Sequence, residues 1–161
     1  MRIATRAALL VVALGAAAWA TTLAPGMALP PLTLTDQHDV AATVGAETRV
    51  ILFTRDMDAG DVAKEALAEH AALLAAAHAV YVADISRMPS LVAKLFALPA
   101  MRKRPYRMLL DRDGTATASF PSREGEVTLL WVRDGTIERI DYVASADALR
   151  AALATPATAA P

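Results

Sequence analysis

The 161-residue chain contains no cysteine. Thiol redox enzymes work through a thiolate whose pKa is lowered at a helix N-terminus by the dipole and nearby cations. Without a thiol, that chemistry is excluded, together with structural disulfides and cysteine-ligated metal. Glycine is scarce as well: there are 7, and no two stand two positions apart. The G-x-G-x-x-G dinucleotide fingerprint is therefore absent, so a Rossmann-type flavin or nicotinamide site has no motif. No G-x-S-x-G nucleophile elbow occurs either. Basic charge is not in excess, with 16 Lys and Arg against 17 Asp and Glu, which argues against a nucleic-acid binder. His38, His70 and His78 do not share metal-ligand spacing as a group. His70 lies on an apolar stripe and is expected to be packed rather than catalytic.

The longest apolar run is short. Arg2 and Arg6 precede Ala7 to Ala20, a nearly unbroken run of 14 residues. That is below the 18 or more a spanning helix needs. Ala18-Trp19-Ala20 supplies an A-x-A cleavage pattern, with Gly26-Met27-Ala28 as a second choice. The layout is that of a secretory signal peptide, and an uncleaved membrane anchor is the competing reading. The expectation is a signal over 1–20, a linker over 21–28, one domain over 29–154 and a frayed tail over 155–161. Cleavage after Ala20 leaves 141 residues carrying 14 basic and 17 acidic side chains. An exported chain of that size without disulfides must hold itself together by packing.

What is present reads as alternating elements. Leu32 to Asp36 alternates with period 2 and predicts a short strand ending in a Gln37-His38-Asp39 turn. Arg49 to Thr54 and Ala79 to Ile85 are continuous apolar runs, the mark of strands buried on both faces of a parallel sheet. Between them Ala59 to Ala77 predicts a helix with Val62, Ala66, His70, Leu73 and Ala77 on its inner stripe. Pro89 suits the first turn of another helix, with Leu91, Val92, Leu95 and Phe96 as its buried stripe and Pro99 as its end. Tyr106 to Asp111 predicts a strand, followed by an Asp113-Gly114 turn. Glu126 to Val132 and Thr136 to Val143 flank Arg133-Asp134-Gly135 as a hairpin. Ser145 caps a last helix whose Leu149 and Leu153 are one turn apart. The order predicts an α/β fold, a mixed sheet flanked by helices on both faces.

Three segments carry a family resemblance. They are Leu29-Pro30-Pro31-Leu32-Thr33-Leu34-Thr35-Asp36, the stretch from Pro105 to Gly114, and the stretch from Gly125 to Gly135. Together with the order of elements, the chain resembles the thioredoxin superfamily in its peroxiredoxin-like elaboration. Its C-terminal stretch is most similar to the small periplasmic YtfJ-like branch. The resemblance implies a thioredoxin-like sheet over residues 29–154, with redox cysteines after the strand ending at Thr54 and a cis-proline before the penultimate strand. This chain has Arg55-Asp56-Met57-Asp58 and Glu126-Val127-Thr128 at those places. Both departures suggest a scaffold that no longer performs thiol–disulfide exchange.

Two polar clusters are the candidate sites. Arg55, Asp56, Asp58 and Asp61 lie where a buried strand hands over to a helix, a place where α/β folds bind ligands. Acidic residues there either cap the helix or form a site for a cation or a basic partner. Asp56-Met57-Asp58 also suggests a phosphatase-like enzyme in which one Asp attacks phosphorus beside a divalent metal. Asp111 and Asp113 are the only nearby candidates for its further metal carboxylates, and a turn accounts for them. Arg102, Lys103 and Arg104 form a basic run that is either a solvated loop or a docking patch for an acidic partner. It is expected on the same edge of the domain as the acidic turn. The chain therefore reads as an exported periplasmic binding or accessory protein of the cell envelope. An envelope protein is the expected partner, with no cofactor, no nucleic acid and no stable membrane insertion after signal removal. A monomer without thiol–disulfide activity is expected, the metal enzyme and a flavin-linked redox protein being the rival readings.

Overall fold

The computed structural model describes residues 21–155. The signal read over 1–20 and nearly all of the tail read over 155–161 lie outside the described residues. Seven strands form one mixed sheet: β1 Thr33–Asp36, β2 Ala41–Thr43, β3 Val50–Thr54, β4 Ala79–Asp84, β5 Met108–Asp111, β6 Val127–Arg133 and β7 Thr136–Val143. Their spatial order is β2-β1-β5-β4-β3-β6-β7. The two apolar runs pair in parallel, Val50 opposite Ala79 and Thr54 opposite Ala83. Strand β5 continues the parallel block beside β4, while β6 runs antiparallel on the other side of β3. Strand β3 is buried along its whole length, as a central strand covered on both faces must be.

The expected hairpin forms with Arg133 opposite Thr136, so Asp134 and Gly135 alone make the loop. Both have positive φ, 49° and 74°. A two-residue turn with that pair of angles matches the right-handed twist of the flanking strands, which is why Asp-Gly is favoured there. Strand β2 was not foreseen, because Ala41-Ala42-Thr43 is too short for alternation to show.

The helices are α1 Met57–Leu67, α2 Ala72–Ala76, α3 Ser90–Val92, α4 Leu98–Arg102 and α5 Ala146–Ala154, with a π-helical turn Ala93–Ala97 joining α3 to α4. The single helix expected over 59–77 is broken in two between Leu67 and Ala72, and His70, placed on its inner stripe by sequence, is exposed at the break. Pro99 does not end its helix. It sits in the first turn of α4, where its missing N–H costs nothing.

The mixed sheet forms as expected, but its helices, expected on both faces, pack on one. Residues of α1, α2, α4 and α5 join Val50, Leu52, Tyr81, Met108 and Leu129 in the larger core. The opposite sheet face, with Ile51, Phe53, Val82 and Leu130, is covered by Leu23, Leu32 and Phe120 instead. The cause is topological: β3, β4 and β5 follow one another in a single direction, and right-handed crossovers then place both connecting helical segments on the same side. The stretch 21–28, read as a linker, is docked on the second face. Leu23 is buried, and backbone bonds run from Leu23 N to Ser119 O at 2.8 Å and from Gly26 N to Ile137 O at 2.8 Å.

Candidate functional site

The C-terminal ends of β3 and β4 open into a cavity of about 610 Å³. Its floor is sheet, with Thr54, Tyr81, Ala83 and Asp84; its walls are the start of α1 and the segment from Ile85 through α4. Arg55, Asp56, Asp61 and Arg104 of the two sequence-predicted clusters all line it. The acidic turn and one end of the basic run thus share one edge.

Each polar group at the β3–α1 junction has an assigned structural task. Arg55 ties β4 to the β5–β6 connection: Nε donates to Asp84 Oδ2 at 3.2 Å, Nη2 to the Thr117 carbonyl at 2.6 Å and Nη1 to Ser122 Oγ at 3.2 Å. Its guanidinium also lies 5.1 Å from the Phe53 ring centroid. Asp84 is itself almost wholly buried and accepts a second bond from Ser86 N at 3.0 Å, so each partner of the ion pair has further hydrogen bonds, which offset the cost of keeping charge away from water. Asp56 is the N-cap of α1, with Oδ1 accepting from Ala59 N at 2.9 Å and Oδ2 from Gly125 N at 3.3 Å. The cap and the cross-loop bond to Gly125 fix the entry angle of the helix.

The remaining predicted residues are on the rim or away from it. Asp58 is exposed in the first turn of α1, and Asp61 pairs with Lys64 on the same helix face. Arg102 turns to the opposite side, where Nε donates to the Gln37 carbonyl at 2.8 Å and Nη2 to Asp39 Oδ2 at 2.8 Å. Lys103 is exposed. Asp111 and Asp113 do serve a turn: Asp111 accepts from Gly114 N at 2.9 Å and from Thr117 N at 2.7 Å, and Asp113 accepts from Thr115 N at 3.0 Å. The Thr115 hydroxyl and N–H hold the Asp113 carboxyl below its ordinary range. Among the described residues, no group of three or more His, Asp or Glu is placed to hold a metal ion.

Arg104 differs from Arg55. It is half-buried, its Nη1 contacts Met108 Sδ at 3.3 Å, and its guanidinium lies 6.0 Å from the Tyr106 ring centroid. Burial pushes the Tyr81 phenol up to about 12 and also raises that of Tyr106, with Arg104 opposing both shifts. Both phenols are therefore neutral at physiological pH and supply no counter-charge. The Tyr81 hydroxyl meets Thr54 Oγ1 at 3.3 Å, while the Tyr106 hydroxyl makes no hydrogen bond.

Sequence reasoning missed the apolar lining. Four of the chain's six methionines, Met57, Met88, Met101 and Met108, line the cavity with Val92 and Phe96. They are dispersed over fifty positions, so no local pattern unites them. Val92 and Phe96 were legible only as apolar helix positions and were assigned to the core. In the structure they are 44% and 69% exposed.

Several solved structures align with most of this chain. Peroxidoxin BcpB from Mycobacterium tuberculosis aligns with a TM-score of 0.55 and 22% identity, over 81% of this chain and 94% of its own. A thio-disulfide isomerase from Thermus thermophilus aligns with a TM-score of 0.52 and 24% identity, over 81% and 95%. The thioredoxin domain of a thiol-disulfide oxidoreductase from Bacteroides vulgatus aligns with a TM-score of 0.53 and 13% identity, over 82% and 96%. This chain has a thioredoxin-like fold. No family model matches it, and no curated protein does. Two of these structures are named for thiol–disulfide chemistry, and this chain contains no cysteine. Among the described residues no peptide bond is cis.

Proposed function

We propose that this chain is an exported accessory protein of the cell envelope, a thioredoxin-like scaffold that binds a partner and performs no thiol redox chemistry. One observation carries the reading. At the strand-to-helix junction where the resemblance places redox cysteines, Arg55 and Asp56 serve as an internal brace and a helix cap, while the cavity beside them is kept open. A reactive position has become structural, and the concave surface around it has stayed. Asp61 is exposed on the lining of that surface, Asp58 is exposed in the same first part of α1, and these acids supply charge for docking. Export is supported by the basic start, the short apolar run and Ala18-Trp19-Ala20. Docking of Leu23 and Gly26 favours cleavage after Ala20 over Ala28, since the later cut would remove a buried leucine and its backbone bonds.

Fractionation with N-terminal sequencing tests the first half, with Thr21 as the expected first residue of periplasmic protein. Intact Met1 on a membrane-bound protein would overturn it. Capture of an envelope protein by wild type and by Asp58→Ala with Asp61→Ala tests the second half. Capture should fall in the double variant, and the difference should be greater at low salt, where charge interactions reach further. Equal capture would remove the acidic rim from the account.

A further inference from the structure

The cavity at the ends of β3 and β4 has a composition that selects a ligand, independently of export and of any protein partner. Its walls are apolar and deformable: Met57, Met88, Met101 and Met108 with Val92 and Phe96. Methionine side chains adapt to differently shaped apolar bodies. The volume, about 610 Å³, lies within the range of roughly 300–1,000 Å³ found for small-molecule sites. Met57 and Phe96 are 76% and 69% exposed, so apolar surface remains for a ligand to cover.

Charge decides which apolar molecule fits. The acids lining the cavity are all engaged: Asp84 with Arg55, Asp56 with the α1 N-terminus and Gly125, and Asp61 with Lys64. Arg104 is not. Among the described residues it is the only half-buried basic side chain with no carboxylate within 4.0 Å; the other two, Arg55 and Arg150, pair with Asp84 and Asp147. An aromatic face, a thioether and the neutral hydroxyls of Tyr81 and Tyr106 leave this guanidinium without a counter-charge in apolar surroundings. Arg87, exposed on the same lining, adds a second cation without a carboxylate partner. Guanidinium groups recognise carboxylates through paired N–H donors.

We propose that this cavity binds a small amphipathic monocarboxylate, its carboxylate on Arg104 with Arg87 nearby and its apolar body against the methionines and Phe96. The acid group supplies the counter-charge that Arg104 lacks, and the apolar body covers the exposed Met57 and Phe96.

Calorimetric titration of the purified chain with decanoate below its micelle concentration, beside decanol and acetate, tests this. One decanoate per chain should bind, at least ten-fold more tightly than decanol or acetate. Arg104→Met should weaken decanoate ten-fold or more and leave decanol unchanged. Phe96→Ser should weaken both, and Lys103→Met neither. Equal binding of decanoate and decanol by the wild-type chain, or decanoate binding undiminished in Arg104→Met, would overturn the proposal. Should Arg104→Met fail to fold, by its thermal transition, the wild-type comparison of decanoate with decanol decides alone.

Discussion

Helix α5 and the segment from α3 to α4 begin from the same sequence signature and end in opposite places. Both show apolar side chains at spacings of three and four. In α5, Leu149 and Leu153 are 0% and 3% exposed, packed in the core with α1. In the other segment, Leu91, Val92, Leu95 and Phe96 are 44% to 69% exposed, and Ala93, Leu98 and Met101 take the buried positions. The difference arises from the backbone. The π-helical turn at Ala93–Ala97 is a wider turn, of the kind found often at functional sites, and the buried Ala93 and Leu98 stand five positions apart across it rather than three or four. An apolar stripe therefore identifies a helix and a sidedness, but not whether the apolar side meets a core or a cavity.

The largest effect should come from the core half of this comparison. Leu149→Ala removes a fully buried side chain and should cost about 2–5 kcal/mol, read as a lowered midpoint in urea unfolding. A change below about 0.5 kcal/mol would place α5 outside the core.

Next is the junction. Asp56→Ala deletes the α1 cap and the bond to Gly125, and should cost about 1 kcal/mol. Asp58→Ala, two positions on and exposed, should be within about 0.5 kcal/mol of wild type by the same unfolding measurement. Equal effects would show that the acidic turn is not organised around the cap.

Acid titration probes the sheet frame away from the cavity. Burial alone pushes the Asp36 carboxyl up, but the N–H groups of Val40 and His38 and the Arg107 guanidinium outweigh it and hold the pKa below its ordinary value. The unfolded chain then binds the proton more readily, so this group's stabilisation is complete above about pH 4 and is lost as pH falls through the folded value. Wild type should exceed Asp36→Asn in melting temperature at pH 7, and the gap should close on acidification toward pH 2. A gap independent of pH would contradict the role of the charged form.

The smallest effect belongs to the exposed half. Leu95→Ser should leave stability within about 0.5 kcal/mol of wild type, a sharp contrast with Leu149→Ala in identical buffer. A loss of about 2 kcal/mol would mean that the exposed stripe is packed in solution.

These contrasts also show where sequence reasoning ends. The central strands, the Asp134-Gly135 turn and the Ser145 cap were legible because local chemistry determines them: β-branched runs, positive φ and a hydroxyl that accepts from Ala148 N at 3.3 Å. The cap at Asp56 was legible as one of two alternatives. The Arg55 brace was not, because Asp84, Thr117 and Ser122 are 29 to 67 positions away. Nor was the placement of Arg102, which the Gln37 carbonyl and Asp39 draw to the far side of the loop from Arg104. The helices on one face also escaped notice, since strand order, which decides the side of each crossover, leaves no mark within a single strand.

The central proposal is that the end of the sheet where the resemblance places redox cysteines serves binding in this chain. Site-specific photo-cross-linking in the cells that make it tests this most directly, with the probe at position 61 on the cavity rim or at position 138 on the exposed side of β7. The account predicts one dominant envelope-protein adduct from position 61 and none from position 138. No adduct from the rim, or the same adducts from both positions, would contradict it.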